Sequence, residues 1–320
     1  MKDAVMALGM GGPDSVEAIK PFLYNLFSDR EIINFRIGPL QTPLAKIIAA
    51  SRSKKIAPEY LKMGLGGASP QNVYTKELLS KLSIQYTKRT ARELDAHGAM
   101  CYYHPYINDT AVKIKNGGYK RLIILPLYPH YSSVTTGACF KKLQKAMPIL
   151  SDIAEEIKII THWYGNKSYT NCISSRIENA AKKLGKNINE CHIVFSAHSL
   201  PQAVADSGDP YTTQIKAHAE SICNICGARS YEISYQSKVG PVKWVGPSTI
   251  EALAAIKRKG LDNIIVVPIS FISDHIETLI ELDEQLIPTI KNSGINIVRS
   301  ESLNADDDFV AAVADIITGA

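Results

Sequence analysis

The sequence has few of the features that mark membrane, secreted or nucleic-acid-binding proteins. No apolar run reaches the ~20 residues needed to span a bilayer, and the N-terminus lacks the pattern of a signal peptide. The net charge of +5 is too small and dispersed for a nucleic-acid-binding face, and it suits an anionic ligand or a weak contact with anionic lipid. Only Cys223 and Cys226, among six cysteines, form a C-x-x-C pair, and the spacing of the others indicates no cluster. We therefore expect a cytoplasmic enzyme with reduced cysteines.

The motifs of three common enzyme classes are also missing. There is no G-x-S-x-G nucleophile elbow of a serine hydrolase and no H-E-x-x-H of a zinc peptidase. Gly9, Gly11 and Gly12 form G-M-G-G, which lacks the G-x-G-x-x-G spacing of a dinucleotide site. Any nucleotide-type fold in this chain is therefore expected to bind something else.

Strands and helices alternate along the chain. Apolar runs predict strands at 3–9, 98–103, 121–126, 157–162, 191–197, 230–235, 263–269 and 296–300. Helical periodicity fills most intervals, for example 73–95, 168–184, 212–223, 247–258 and 276–291. Strands separated by helices form βαβ units, so the pattern predicts an α/β fold with mainly parallel sheets.

Two pairs of segments resemble each other. GYKRLIILPLYPHYS begins at Gly118 and GLDNIIVVPISFISD at Gly260, and in both a proline closes an apolar run eight positions after the glycine. DAVMALGMGGP and CHIVFSAHSLP form a weaker pair, each an apolar strand that turns through small residues into a proline. Overlaying these prolines aligns Met10 with His198. The similarity predicts two related α/β halves, although any two βα units share part of this pattern.

The repeat predicts where a ligand binds. Ligands of open α/β sheets lie outside the carboxyl ends of the strands, so two facing halves would enclose a cleft between domains. The segments expected to line that cleft are 10–12, 128–133, 198–200 and 270–277.

Histidine and carboxylate side chains are concentrated at these strand ends. His198 lies on a tight turn after a strand, and histidine exchanges protons near neutral pH. The segment DHIET adds His275 and Glu277. Glu277, Glu281 and Gln285 are spaced four residues apart, so they lie on one face of the predicted helix. This combination suits a proton relay or transient contact with a divalent metal better than a resident metal site. The alternative for His198 is a structural histidine. The alternative for the acids is a favourable interaction with the helix dipole, which explains Asp274 and Glu277 but not Glu281.

Two further groups suit an aromatic, anionic ligand. Trp244 lies between the Gly-Pro steps of YQSKVGPVKWVGPST, where an exposed ring would stack on a flat ligand. Arg52, Lys54 and Lys55 form a basic cluster near Tyr60, which suits capture of ligand carboxylates. Alternatively, Trp244 is a partly buried packing residue, and the basic cluster is a solvated face.

These motifs together resemble the ferrochelatase family. FSAHSLP, GDPY, YQSKVGPVKWVGP and PISFISDHIETLIELD occur in the family's order, after MGGP, FLYNLFSDREII and LYPHYSSVTTG. The resemblance covers about residues 3–310, and its motifs are long and specific. It implies two Rossmann-like, chelatase-like domains whose parallel four-stranded sheets face each other across a cleft. We expect the domains at 1–145 and 146–300, with the C-terminal segment 301–320 packing back on the first.

The resemblance implies insertion of Fe²⁺ into a porphyrin, the terminal step of heme biosynthesis. His198 matches the essential base or metal contact of the S-A-H-S-L-P motif, and Glu277 of D-H-I-E-T matches its partner across the macrocycle. His275 belongs to the same motif. Glu281 continues the acidic face toward Gln285, where the family often has an acid. The implied catalytic residues are His198, Glu277 and His275, and the implied metal contacts are His198, Glu277 and Glu281.

The resemblance also bears on the identity of the porphyrin. Family members that use protoporphyrin carry Met in M-G-G-P, whereas several that use coproporphyrin carry Tyr nearby, so Met10 favours protoporphyrin IX. Cys101 stands where the family frequently has Arg, so any role of that Arg is absent or relocated. The residues expected to bind the substrate are Met10, Arg52, Tyr60, Ser69, Tyr128 and Trp244.

Iron is a substrate in this interpretation, and no resident cofactor is expected. The mitochondrial-type C-terminal cysteine cluster is missing from the sequence, so a [2Fe-2S] cluster would need internal cysteines. We expect porphyrin and ferrous iron as substrates, no nucleic acid, a peripheral contact with a membrane surface, and a monomer or weak dimer. A coproporphyrin III ferrochelatase, a non-catalytic porphyrin or heme carrier, and a chelatase for another metal or tetrapyrrole are the alternatives.

Overall fold

Two four-stranded parallel sheets organise the chain in the computed structural model, which describes residues 2–319 except 34, 36, 152–154, 239, 241 and 293. Each sheet is the centre of one compact unit. The first unit comprises Met1–Tyr128, Ser132–His162 and Asn304–Ala320, and the second comprises Pro129–Tyr131 and Trp163–Leu303. The predicted α/β fold with two Rossmann-like domains is confirmed.

The sheet of the first unit has the strand order β2-β1-β3-β4. Its strands are β1 (Lys2–Gly9), β2 (Glu93–Met100), β3 (Arg121–Pro126) and β4 (Glu156–Ile159). The helices of this unit are α1 (Val16–Ser28), α2 (Gln41–Lys62), α3 (Pro70–Thr90), α4 (Ile107–Lys115), α5 (Thr136–Leu150) and, at the C-terminus, α11 (Asp307–Gly319). The inner strand β1 is inaccessible from Ala4 to Leu8, which explains its continuous apolar run.

The sheet of the second unit repeats that topology, with the order β6-β5-β7-β8. Its strands are β5 (His192–His198), β6 (Tyr231–Gln236), β7 (Asn263–Val267) and β8 (Asn296–Arg299). Its helices are α6 (Lys167–Lys183), α7 (Gln202–Asp206), α8 (Tyr211–Cys226), α9 (Thr249–Arg258), a π-helix (Glu277–Leu286) and α10 (Ile287–Lys291). The predicted repeat therefore corresponds to two copies of one strand arrangement.

The strand registers match as well as the strand orders. Val5 of β1 pairs with Ile123 of β3, and Ile193 of β5 pairs with Ile265 of β7. The proline overlay made on the sequence places the members of these two pairs at equivalent positions. The sequence repeat thus aligns the central strand pairs of the two sheets residue by residue.

Strand β2 begins earlier than the sequence predicts. The predicted strand at 98–103 overlaps only the end of β2, because the first five residues of the strand, 93–97, include three polar ones. β2 is an edge strand, so one side of it has no neighbouring strand and several of its side chains are half-buried. An edge strand lacks the apolar run by which inner strands are predicted.

The unit boundary also differs from the expected position at 145/146. That position falls inside α5, and the chain then adds β4 to the first sheet through parallel pairing with β3. The first unit therefore continues to His162. The C-terminal segment returns to it, where α11 packs on α3 and Lys81 Nζ donates a 2.9 Å hydrogen bond to the Ala305 carbonyl.

Capping residues fix several helix ends. Ser15 Oγ accepts a hydrogen bond from the Ala18 amide at the start of α1, and Ser248 with Glu251 forms a capping box at the start of α9. Helix α8 ends at Gly227, whose φ of +74° favours glycine. Within the described ranges, no helix is long and apolar enough to cross a membrane.

The helix predicted at 276–291 begins as a π-helix. The Ile287 amide donates to the Leu282 carbonyl, five residues back, and α10 then continues with α-helical geometry. A π-helix turn takes more residues than an α-helical turn, and such segments occur mostly at functional sites. The DHIET motif lies at the start of this unusual segment.

Candidate functional site

His198 lies at the carboxyl edge of the second sheet, as the last residue of β5. Its Nδ1 is 2.6 Å from the Ser199 carbonyl oxygen. A carbonyl only accepts hydrogen bonds, so we assign the ring proton to Nδ1, and Nε2 of the neutral ring keeps its lone pair. Nε2 lies 3.8 Å from Oε2 of Glu277, and the His198 side chain is 38% exposed. A basic nitrogen in this position is suited to accept a proton from a ligand.

Ser237 joins the two predicted acids. Its Oγ lies 2.8 Å from Oε2 of Glu277 and 2.6 Å from Oε2 of Glu281. A hydroxyl has one proton and can donate it to either of the two carboxylates. The three side chains together therefore form a chain that can hold and pass a proton.

Ser237 was not predicted as a site residue. It follows the end of β6 and adopts a φ of +64°, a left-handed conformation that is uncommon outside glycine and often found at functional sites. The preceding residue, Gln236, donates a 2.9 Å hydrogen bond from Nε2 to the Glu277 carbonyl. The sequence feature that could have indicated Ser237 is the position of the Q-S-K-V-G-P motif directly after a predicted strand.

His275 lies beside these acids, before the π-helix. Its Nδ1 is 3.1 Å from the Ser273 carbonyl oxygen, and its ring centroid is 4.6 Å from that of Phe271. Burial lowers the pKa of the His275 imidazole, and Glu277 partly offsets this effect. Because the ordinary pKa of histidine is about 6.5, the ring is neutral at neutral pH. The neutral His275 ring can therefore accept a proton during the reaction.

Trp244 is held next to the turn that follows His198. It forms an isolated antiparallel bridge with Pro201, flanked by two backbone hydrogen bonds of 2.8 Å. The Trp244 side chain is half-buried. Residues 239 and 241 of the predicted loop lie outside the described residues. The structure thus brings the predicted aromatic residue and the histidine turn together within the second unit.

In the first unit, the two glycines that follow Met10 pack closely against neighbouring side chains, and one of these neighbours is Ser69. The Met10 carbonyl accepts a 3.0 Å hydrogen bond from the Tyr102 amide. Gly11 has a φ of +80°, and a Cβ at Gly12 would lie 2.8 Å from the Ser69 Cβ. Neither position therefore accommodates a larger residue without a shift, which explains the G-G of the M-G-G-P motif.

The other predicted substrate residues of the first unit differ in accessibility. The guanidinium of Arg52 lies 5.6 Å from the Phe27 ring centroid, and its side chain is partly exposed. Tyr60 is 5% exposed and packs in the core, whereas Tyr128, after β3, is half-buried. The two units divide the predicted residues into Met10, Arg52, Tyr60, Ser69 and Tyr128 in the first and His198, Trp244, His275, Glu277 and Glu281 in the second. That both groups face one cleft stays a prediction.

The cysteines are buried, and none forms a disulfide. Burial raises the pKa of Cys223 to about 12 and also raises the pKa of Cys226. Cys101 Sγ lies 3.1 Å from Cys139 Sγ. In the part of the chain that the structure describes, no group of three or more His, Cys, Asp or Glu side chains is arranged to hold a metal ion.

His130, in a segment expected to line the cleft, lies in the core of the second unit instead. Its exposed fraction is 1%, and its Nε2 is 3.0 Å from Nδ1 of His218, which is inaccessible. The His218 ring stacks on Tyr169 at a centroid distance of 5.1 Å. Burial lowers the pKa of His218 to about 3, because the protonated ring would lose its hydration there.

We expect His218 to make the second unit sensitive to acid. Its folded pKa of about 3 is below the unfolded value of ~6.5, so the unfolded chain binds the proton first as the pH falls. The contribution of His218 to stability is complete above the unfolded pKa and is lost progressively toward the folded one. His218→Gln should therefore reduce the loss of unfolding free energy between pH ~6.5 and ~4.5 by about 2–3 kcal/mol.

Urea unfolding followed by tryptophan fluorescence measures this effect, because Trp163 and Trp244 both lie in the second unit. His162→Gln, which replaces an exposed histidine of the first unit, is the matched control. An equal pH dependence in the wild type and His218→Gln would contradict the prediction.

Comparison with solved structures shows the fold. The structure of SirB from Bacillus subtilis with Fe³⁺ matches with a TM-score of 0.56 at 11% identity, covering 99% of this chain and 95% of that one. The sirohydrochlorin chelatase SirB from Bacillus subtilis subspecies spizizenii in complex with cobalt matches with a TM-score of 0.54 at 13% identity, covering 98% and 93%. The two-unit α/β architecture is thus that of known chelatases.

Comparison at the sequence level is more specific. The family model described as Ferrochelatase matches residues 2–320. The ferrochelatase of Geotalea uraniireducens is 38% identical over 99% of this chain and 97% of its own length, and that of Aquifex aeolicus is 37% identical over 99% of both. The ferrochelatase of Synechocystis sp. is 38% identical over 98% of this chain and 81% of its own length. With these matches over nearly its whole length, the chain belongs to the ferrochelatase family of porphyrin metal chelatases.

Proposed function

We propose that this chelatase inserts Fe²⁺ into protoporphyrin IX and so forms heme in the terminal step of its biosynthesis. Family membership supports metal insertion into a porphyrin. The observation that carries the assignment of residues is the pair formed by Nε2 of His198 and the carboxylate of Glu277 at the carboxyl edge of the second sheet. The choice of protoporphyrin rests on Met10 in the M-G-G-P motif.

Proton removal is the chemical demand of this reaction. A free-base porphyrin carries two inner N–H protons, and exchange for one Fe²⁺ releases both. In our proposal, Nε2 of His198 accepts each proton in turn and passes it to Glu277. Ser237 then links Glu277 to Glu281, from which the proton leaves. His275 is the second proton-exchanging group of this relay.

Ring distortion is the second demand, because a flat macrocycle hides the lone pairs of its nitrogens. Contacts with the ring faces and the propionates supply binding energy that offsets the distortion. We assign contacts with the ring faces to Met10 and Trp244 and a propionate contact to Arg52. Ser69, Tyr60 and Tyr128 complete the proposed substrate-binding set, in which Tyr60 supports its neighbours from the core.

The incoming iron needs ligands that release it. His198, Glu277 and Glu281 supply one imidazole nitrogen and carboxylate oxygens, which bind divalent metals of this type. In our proposal these side chains contact Fe²⁺ transiently, as a substrate on its way to the porphyrin.

Anaerobic incubation of the purified protein with Fe²⁺ and either protoporphyrin IX or coproporphyrin III tests the proposed function. The absorption change on metallation gives the rate for each porphyrin. Faster turnover of protoporphyrin is the expected result. A preference for coproporphyrin would retain the chelatase mechanism and refute the argument from Met10. Tight porphyrin binding without turnover would instead support a carrier.

We also propose peripheral contact of a cytoplasmic monomer or weak dimer with an anionic membrane surface. Helix α2 exposes the apolar side chains of Ile47 and Leu61 together with Lys46, Lys54 and Lys55. Apolar and basic side chains on one surface helix favour binding to anionic lipid. We expect co-sedimentation with phosphatidylserine vesicles that decreases with salt and is weakened by Ile47→Glu. Equal binding to neutral vesicles would contradict this proposal.

A further inference from the structure

Arg299, the last residue of β8, binds two acids that flank the candidate proton relay. Its side chain is 9% exposed. Nε and Nη2 form a two-pronged contact with the Asp283 carboxylate, at 2.9 and 2.7 Å. Nη1 lies 3.1 Å from Oδ1 of Asp274. A planar guanidinium can hold two carboxylates in fixed directions, which an ammonium group cannot do.

Asp274 transmits this contact to the backbone of the DHIET motif. Its Oδ1 accepts hydrogen bonds from Ser302 Oγ at 2.7 Å and from Thr278 Oγ1 at 3.0 Å. The buried Thr278 hydroxyl in turn accepts the His275 amide hydrogen at 3.0 Å. A continuous chain of hydrogen bonds therefore links Arg299 to His275, two residues before the π-helix.

The second acid lies inside the π-helix itself. Asp283 follows Glu281 by two residues, and Asp274 precedes Glu277 by three, so in sequence the two partners of Arg299 lie on either side of the two acids of the proposed relay. A π-helix is rare and needs support from the surrounding structure. Arg299 provides a common anchor, from β8, for the start and the middle of this helix.

We propose that Arg299 is a positioning residue that fixes the π-helix so that the Glu277 carboxylate faces Nε2 of His198. This inference rests on the proposed function, because the positioned groups are those of the proton relay. Geometric displacement of such groups by about 1 Å can reduce turnover by about 100-fold. Loss of Arg299 should therefore affect turnover more than porphyrin binding.

Steady-state kinetics of Arg299→Gln and Arg299→Lys test the proposal. We expect Arg299→Gln to lower kcat at least about tenfold with KM for porphyrin within about threefold of the wild type. Arg299→Lys should recover part of kcat, because it restores the charge without the two-pronged contact. If Arg299→Gln does not fold, Asp283→Asn weakens the two-pronged contact by changing its more exposed partner. An unchanged kcat in the variant that folds would overturn the proposal.

A double-mutant cycle separates positioning from a general loss of stability. In the Glu277→Gln background, Arg299→Gln should lower kcat much less than in the wild type, because the group that it positions is already disabled. Equal effects in both backgrounds would overturn the proposal. Arg92→Lys, which weakens the ion pair of a partly exposed arginine with the buried Asp3 in the first unit, is the matched control.

Hydrogen exchange distinguishes failure of this inference from failure of the proposed function. Amides of residues 275–286 should exchange faster in Arg299→Gln than in the wild type, whatever reaction the protein catalyses. If the wild type metallates no porphyrin, the proposed function fails, and exchange alone decides whether Arg299 anchors the helix. Unchanged exchange in this segment would overturn the anchoring role.

Discussion

His198→Ala should lower the rate of iron insertion by about 10²–10⁴-fold, the usual contribution of a positioned general base. The hydrogen bond from Nδ1 to the Ser199 carbonyl leaves Nε2 as the basic nitrogen, and in our proposal Glu277, 3.8 Å away, stabilises the imidazolium that forms. Alanine removes the proton acceptor while leaving the strand intact. We therefore expect the loss in kcat, with the Kd for porphyrin within about threefold of the wild type.

Anaerobic single-turnover metallation, followed by absorption, measures this rate without a contribution from product release. His192→Gln is the matched control, since it replaces the histidine at the opposite end of the same strand. Insertion by His198→Ala within about threefold of the wild-type rate would remove His198 from the catalytic assignment.

Glu277→Gln should have the next largest effect, a loss of about 10²–10³-fold in kcat. The amide keeps the size of the side chain but neither accepts a proton nor stabilises the protonated ring of His198. It also replaces the carboxylate that Ser237 Oγ contacts at 2.8 Å. Glu281→Gln should cost less, because Glu281 is one step further from His198 along the chain of contacts.

The order of effects is the decisive observation for this relay. We expect Glu277→Gln to be slowest, then Glu281→Gln and Ser237→Ala, with Glu284→Gln close to the wild type. Glu284 belongs to the same π-helix and is exposed, so it controls for loss of an acid from this segment. A larger loss in Glu281→Gln than in Glu277→Gln would reverse the proposed direction of proton flow.

Much of the fold was predictable because inner parallel strands are buried on both faces. β1 and β7 have continuous apolar runs, which a period analysis detects and places within one or two residues. β2 was misplaced because an edge strand carries polar and apolar side chains together. The repeat was visible because its prolines occupy the same position relative to the apolar strand in each half of the chain.

The candidate site was predictable where one motif contains the whole chemical group. His198 and Glu277 were predicted because each lies within one contiguous motif, S-A-H-S-L-P or D-H-I-E-T, that resembles a ferrochelatase motif. Ser237 was missed because a left-handed φ and contact with two acids are properties of the folded chain. Arg299 was missed because its partners, at 274 and 283, are distant in sequence and become neighbours only through the sheet.

The shared strand register of the two units has an evolutionary consequence. Equal strand orders and equivalent residue pairs indicate tandem duplication of one ancestral segment, followed by divergence of the copies. At the carboxyl end of the central strand, one copy now carries Met10 and the other His198. An ancestor with a single copy had one residue at this position, so the different roles that we propose for Met10 and His198 arose after the duplication.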